Sequence, residues 1–213
     1  MHPLDFYKKK VEQQTVDTIT GWDDASINPR LAEAYKKETG FDVPKIKINP
    51  NMSGVYGAHI HAGPDSIKNT ILVSKNVGSG VGNDFIPAHE LGHHEMDLRP
   101  GIMQQVQSKT YNLGDHPLVS LGLGAIGAFT PSTRRALALS MGASYLAQSG
   151  KLATEAAANR NADRYLQSAG IPYTDEMKRA KRYNQISYAV GPALQGLVYG
   201  GLGRIAKNYL DNR

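Results

Sequence analysis

The stretch FIPAHELGHHEMD, residues 85–97, constrains the fold of this chain more than any other feature. Asp84 precedes it as a candidate N-cap, and the stretch contains enough apolar residues to bury a helix. On an α-helix, His89 and His93 lie on one face about one turn apart, so both imidazoles can bind one ion. Glu90 follows about 100° around the axis and lies beside that ion. The pattern predicts a buried helix with two metal ligands and an adjacent carboxylate.

Composition limits what can complete such a site. The 213 residues include no cysteine, which excludes disulfides, thiolate catalysis and Cys-type zinc sites, so a metal has only histidine and carboxylate ligands. The net charge is +5, but the basic runs at 8–10 and 178–182 have no interleaved aromatic residues, and no nucleic-acid partner is expected. The N-terminus lacks the apolar segment of a secretory signal, which predicts a cytoplasmic protein, or one released by lysis or inside a virus particle.

The first part of the chain predicts a small sheet that precedes the motif. Helix-like spacing at 4–19 and 29–39 ends at Gly40, a plausible helix stop. Three short alternating or β-branched runs follow, KIKIN, YGAHIHA and TILVSK, separated by turn residues. These runs predict a small mixed or antiparallel sheet at about residues 44–76. A glycine-rich loop then leads to the motif helix.

From the motif onward the patterns are helical, so the chain predicts an α+β fold in a single domain, residues 1–213. Two apolar helices at 117–129 and 136–148 are expected to form a hairpin, and an alanine-rich helix follows at 153–169. Another helix starts at Thr174, and a last apolar stretch occupies 186–203. Gly170 and Pro172 are expected to end the alanine-rich helix. Residues 186–213 are a candidate C-terminal helical appendage.

Two histidines need a third protein ligand, and the residues near the motif supply none of suitable geometry. The metzincin pattern would place a histidine at position 99, where this chain has Arg99. His94 points away from the shared face. Asp97 lies in line with both motif histidines, and three ligands in line on one straight helix cannot surround an ion. Further along the chain, the next acidic residues are Asp115 and Glu155.

The segment Glu155-Ala-Ala-Ala-Asn159, together with HELGH, resembles the gluzincin metallopeptidases, in particular small ImmA/IrrE-type proteins. The resemblance implies that His89, His93 and Glu155 bind Zn²⁺ and that Asn159 hydrogen-bonds a ligand histidine. It also implies that Glu90 is the general base for a zinc-activated water. The expected activity is that of a zinc metalloendopeptidase, which hydrolyses peptide bonds in a peptide or protein substrate.

The residues around Glu155 leave two interpretations open. Ala158 and Ala162 follow it at i+3 and i+7, a stripe of small side chains that lets this helix pack closely on the motif helix. The alternative is a solvated glutamate in the first turn of a helix, where the helix dipole favours an acidic residue. In that case Asp163 is the fallback ligand, although a carboxylate on the helix surface is its simpler interpretation.

Further residues are candidates for lining a substrate cleft. His59 and His61 alternate on a strand and share a face, either in the cleft or as an exposed pair on an edge strand. Either HIHAG or ILVSK can serve as the edge strand that holds a substrate backbone, as the resemblance implies. A donor to the oxyanion is expected from Tyr111, His116 or Tyr165, and the sequence does not choose among them.

The apolar segments at 117–148 and 186–203 are candidates for membrane contact or self-association. Residues 117–129 are too few to span a bilayer. In the second segment, the glycines at 196, 200 and 203 fall on one helical face, a pattern of close helix–helix contact. Tightly packed helices without a membrane are the alternative. A second class of function therefore stays open, a structural, assembly or membrane-associated protein, for instance a virus-particle component, on a metallopeptidase scaffold.

Overall fold

A computed structural model describes residues 15–52, 57–60, 68–78, 83–99 and 113–212. The described elements are, in chain order, α1 (Pro29–Thr39), β1 (Ile46–Asn49), β2 (Gly57–His59), β3 (Ile71–Ser74), α2 (Lys75–Gly78), α3 (Phe85–Leu98), α4 (Pro117–Phe129), α5 (Thr133–Ala147), α6 (Ser149–Ser168) and α7 (Asp175–Asp211). Residues 15–20 are also helical, and a 3-10 turn at Leu113–Asp115 precedes α4. A small sheet followed by a mainly helical body confirms the predicted α+β class.

Contacts divide the chain into two compact units. Unit 1 comprises residues 1–99 and 157–181, and unit 2 comprises residues 100–156 and 182–213. One boundary falls within α6 and another within α7, and each of these helices is continuous through its boundary. The single domain over residues 1–213 and the appendage at 186–213 stay predictions.

The sheet of unit 1 confirms that the three predicted runs are strands, but it corrects the position proposed for one of them. Its strand order is β1-β3-β2, with β1 parallel and β2 antiparallel to β3. Strand β3, which contains ILVS, is therefore central and cannot be the edge strand proposed for ILVSK. The outer side of β1 is occupied by backbone bonds from Ala25 to Ile46 and from Ile48 to Asp23, both at 2.9 Å. No described strand pairs with the outer side of β2.

Unit 1 has a conventional apolar core between the sheet and its helices. The core includes Leu31 from α1, Ile71 from β3, Leu91 from α3 and Leu166 from α6, all fully buried. Helix α3 packs on β2 and β3. The hydrophobic effect thus places the motif helix between the sheet and α6, since apolar side chains on several of its faces are removed from water.

The described part of unit 2 is mainly helical. Helices α4 and α5 pack together as the predicted hairpin, joined through Thr130 and Pro131. The helix predicted to start at Thr174 and the apolar stretch at 186–203 form one helix, α7, of 37 residues that contains Pro192. Among the described residues, no helix has both the length and the apolar character needed to cross a membrane.

Candidate metal centre

Helix α3 presents the motif and begins where the sequence predicts. Asp84 occupies the N-cap position, but its side chain makes no capping bond to the helix backbone, which corrects the role expected for it. Its carboxylate instead accepts from the amide of Asn28 at 3.1 Å, and the oxygen of that same amide accepts from the N–H of Arg30 at the start of α1. Asp84 and Asn28 therefore link the first turns of two helices in unit 1.

The structure brings His89, His93 and Glu155 together. One ligand atom from each of the three residues lies within 4.8 Å of the others, and all three side chains are buried. Glu155 is not a solvated first-turn residue, because α6 already begins at Ser149. Buried charges in proteins are generally paired or bind metals. Among the described residues, this group can hold a metal ion, as the resemblance implies.

Asn159 sets the orientation of one of these imidazoles. The Nδ1 atom of His89 lies 3.0 Å from the amide oxygen of Asn159, one turn beyond Glu155 on α6. Because an amide oxygen only accepts hydrogen bonds, His89 Nδ1 must donate, and in the neutral ring Nε2 is left with its lone pair. This tautomer directs the metal-binding nitrogen of His89 toward His93. A hydrogen bond of this kind commonly orients metal-ligating histidines.

The spacing of the two imidazoles tests whether a metal fits. His89 Nε2 and His93 Nε2 lie 3.2 Å apart. Two nitrogens bonded to zinc at about 2.0–2.1 Å in a tetrahedral arrangement would lie about 3.3 Å apart. Two imidazole nitrogens and a carboxylate oxygen are a donor set that zinc accepts. The observed separation and the chemistry of the donors both fit a tetrahedral ion of this type.

Glu90 is buried beside strand β2 and owes its position to Gly57. A Cβ atom built at Gly57 would lie 2.8 Å from both Cγ and Oε1 of Glu90, so any side chain at this position would displace the carboxylate. The sequence pattern alone did not single out Gly57. The available signal was an isolated glycine inside a strand pattern, which often marks a close approach of another group to the backbone.

Gly92 brings α6 against the motif helix. A Cβ atom at Gly92 would lie 2.8 Å from the carbonyl oxygen of Ala158 and 3.0 Å from its Cα. Ala158 and Ala162 are fully buried, which confirms the small-residue stripe predicted for this helix. The backbones of α3 and α6 can approach closely because both helices have small side chains at the contact, the glycine on α3 and the alanines on α6.

The remaining polar residues of the motif point away from the cluster, as predicted. His94 Nδ1 lies 2.7 Å from the hydroxyl of Tyr35, and burial lowers the pKa of His94, an effect partly offset by Asp97. Asp97 lies 3.4 Å from Nδ1 of His59. His59 is therefore buried beneath α3 and not part of an exposed pair on the strand, while His61 lies outside the described residues.

Glu95 joins α3 to α6 through a polar contact that the sequence did not reveal. Its carboxylate accepts from Arg164 at 2.5 Å and from the hydroxyl of Tyr165. Burial raises the pKa of Tyr165 well above its ordinary value, and the neighbouring Glu95 adds to this effect. The Tyr165 hydroxyl is committed to Glu95, which argues against its candidacy as a donor to the oxyanion.

Other predicted candidates have different surroundings or lie outside the described residues. His116 is the N-cap of α4, where its Nδ1 accepts from the N–H of Leu118 at 3.2 Å. Asp163 forms an ion pair with Lys181 at 2.7 Å, which removes it as a fallback ligand. Tyr111 is outside the described residues.

A separate cavity of about 580 Å³ lies along the outer side of β1 in unit 1. Residues such as Ile19, Ile27 and Val43 line it, and its lining includes none of the three clustered ligands.

Comparisons with protein-family models, with curated proteins and with solved structures find no match to this chain.

Proposed function

We propose that this protein is a zinc-dependent metallopeptidase that hydrolyses peptide bonds, with His89, His93 and Glu155 as ligands. The observation on which the proposal depends is the buried group of two imidazoles and one carboxylate with ligand atoms within 4.8 Å of one another. When bound to such a His₂Glu set, zinc supplies Lewis acidity to water and to a substrate carbonyl.

The chain's own residues provide the remaining parts of a hydrolytic site. Glu90 follows His89 directly and is buried, so its carboxylate is the candidate general base that accepts a proton from the attacking water. Asn159 holds His89 in one tautomer. Gly57 leaves the space that the Glu90 side chain occupies. Each of these groups is positioned by a helix or a strand of the fold.

Strand β2 supports a peptide as the substrate. Ile60 just beyond its end exchanges backbone hydrogen bonds with Asn69 and Thr70 at 2.9 Å, on the side of β3. Because hydrogen-bonding directions alternate along a strand, the backbone groups of Gly57 and His59 point to the opposite side. No described strand occupies that side. An extended substrate can pair there with the strand that contacts Glu90, by addition of one strand to the sheet.

The first experiment separates metal binding from catalysis. Elemental analysis is expected to find about one zinc per wild-type chain, none in His93→Ala and an unchanged content in Glu90→Gln. With a quenched fluorescent peptide library, Glu90→Gln is expected to lose about 10²–10⁴-fold in hydrolysis, which is typical for removal of a general base. Glu33→Gln, an exposed change of the same type on α1, is the matched control and should match the wild type.

Two outcomes would contradict the proposal. Equal zinc content in wild type and His93→Ala would show that the cluster does not bind the metal. Full zinc content in the wild type combined with equal hydrolysis by wild type and Glu90→Gln would leave a metal site without the proposed base.

The second class of function, an assembly or membrane-associated protein on this scaffold, is favoured by one specific observation, the surface of unit 2.

A further inference from the structure

Unit 2 exposes large apolar side chains on α4, α5 and α7. Phe129 is 82% exposed and Leu146 is 77% exposed. Leu118 and Leu121 on α4, and Leu202 and Ile205 on α7, are each more than half exposed. Both apolar core clusters found among the described residues lie in unit 1. Unit 2 therefore exposes to water many large apolar side chains, which folded proteins usually bury.

The interior of unit 2 combines small and polar residues with the buried Leu123. Ser144 and Gln148 both donate to Oε1 of Gln195, each at 2.6 Å, and the amide of Gln195 donates to the carbonyl of Gly114 at 2.7 Å. Ser140 is fully buried and donates to the carbonyl of Leu123 at 3.3 Å. The polar groups of the unit thus satisfy one another at the centre, away from the apolar exterior.

Close backbone approach explains how so small an interior can be packed. A Cβ atom at Gly196 would lie 2.5 Å from the Cα of Met141, and one at Gly200 would lie 2.7 Å from the Cβ of Ser140. A Cβ at Gly203 would overlap the backbone of Gly124. These contacts confirm the close helix–helix packing predicted from the glycine spacing. The glycine face of α7 therefore packs against α4 and α5, and the large apolar side chains of these helices lie on other faces.

Small residues and hydrogen-bonded polar groups inside, with large apolar groups outside, are the arrangement of helices that face lipid. Unit 2 also has a basic end. Arg134 and Arg135 are exposed in the first turn of α5, although the helix dipole disfavours cations there. Arg204 adds a third guanidinium at this end, because it donates to the carbonyls of Thr130 and Pro131. No acidic residue occurs between His116 and Thr154.

We propose that unit 2 docks on an anionic lipid bilayer, with its apolar side chains among the acyl chains and its basic end at the headgroups. Helix α4 has 13 residues and a length of about 20 Å, shorter than the hydrocarbon core of about 30 Å. Helix α7 is longer, but no described helix is both long and apolar enough to cross the bilayer, so the surface is proposed to sit in one leaflet. This proposal rests on unit 2 alone and is independent of the proposed peptidase activity.

Flotation of the full chain with lipid vesicles tests the docking. Vesicles of phosphatidylglycerol and phosphatidylcholine are expected to bind the protein, and pure phosphatidylcholine vesicles are expected to bind it much less. Arg134→Gln/Arg135→Gln should lower partitioning to the anionic vesicles about thirtyfold, as two interfacial arginines imply. The charge-matched control, Arg30→Gln/Lys37→Gln, changes two exposed basic residues of unit 1 and should bind as the wild type does.

The apolar contribution is tested by Phe129→Gln/Leu146→Gln, which is expected to lower vesicle binding about tenfold or more. Both side chains are exposed, so circular dichroism and zinc content should not change. Equal binding to neutral and anionic vesicles, or no binding to either, would overturn the proposal. A defined oligomer in lipid-free buffer that dissociates in this double variant, without vesicle binding, would assign the surface to a second copy of the chain and would also overturn it.

Discussion

The two units of this chain differ in how many of their large apolar side chains they bury. Unit 1 buries Tyr35, Phe85 and Leu91 completely, and its buried polar residues include His89, His93 and Asn159. Unit 2 buries Leu123, Ser140 and Ser144, but it leaves most of its large apolar residues at least partly exposed. Since helices dominate both regions, the difference lies in the direction of the side chains and not in the secondary structure.

The comparison shows two ways of keeping helices together. In unit 1, burial of apolar area provides the driving force, at roughly 25 cal/mol per Å². In unit 2, close backbone contacts at Gly196 and Gly200 and the hydrogen bonds of Gln195 add to a smaller apolar burial. Hydrogen bonds contribute only about 0.5–1.5 kcal/mol each in water, where the solvent competes for the same groups. This construction is the reason for the proposal that unit 2 docks on lipid.

Glycine substitutions in the two units are expected to have the largest effects on the free energy of unfolding and, in one case, on zinc binding. A Cβ at Gly92 meets the backbone of Ala158, and one at Gly196 meets the backbone of Met141. Gly92→Ala and Gly196→Ala should each lower the free energy of unfolding by about 1–3 kcal/mol, because two backbones must separate. Only Gly92→Ala is expected to weaken zinc binding as well. Urea unfolding and competition with a zinc chelator measure the two quantities.

Gly142 provides the control for both substitutions. A Cβ at Gly142 in α5 meets nothing within 4 Å, so Gly142→Ala should raise the free energy of unfolding by about 0.5–1 kcal/mol through helix propensity alone. A loss of zinc affinity in Gly196→Ala as large as that in Gly92→Ala would contradict this prediction.

Asn159 and Gln195 offer a comparison of two buried amides. Asn159→Ala is expected to lower zinc affinity about 10–100-fold, because the acceptor that fixes the His89 tautomer is lost. Asn159→Asp keeps an acceptor for His89 Nδ1 and should retain most of the affinity. Gln195→Ala should leave zinc affinity unchanged and lower stability by about 1–3 kcal/mol, since Ser144, Gln148 and the Gly114 carbonyl lose a partner. Wild-type affinity in Asn159→Ala would refute this role.

The smallest expected effect concerns the aromatic core of unit 1. Burial raises the pKa of Tyr35 to about 12, whereas a tyrosine in an unfolded chain ionises near pH 10. Between these values the unfolded state releases the proton first, so the contribution of Tyr35 to stability is complete below pH 10 and is lost as the pH rises to about 12. Tyr35→Phe should flatten this decline in the free energy of unfolding. Parallel curves for the two proteins would exclude Tyr35 as its source.

Much of the candidate site was predictable because it is local in the chain. His89, Glu90 and His93 share one helical turn, and the bounds of the motif helix follow from its apolar pattern and from the turn residues before it. The approach of Glu155 was predicted through the resemblance and through the alanine stripe on α6. Gly57 was missed, because its role depends on a contact between two elements far apart in sequence.

By itself, the sequence determined the α+β class, the order of sheet and helices, the motif helix and the bounds of α1 and α4. Tertiary structure alone decided that ILVS is the central strand, that His59 is buried beside Asp97 and that Glu95 binds Arg164 and Tyr165. It also decided which way the apolar residues of unit 2 face. Helical periodicity reveals that a helix has an apolar face, but whether that face meets a core or the outside depends on which neighbours fill the opposite side.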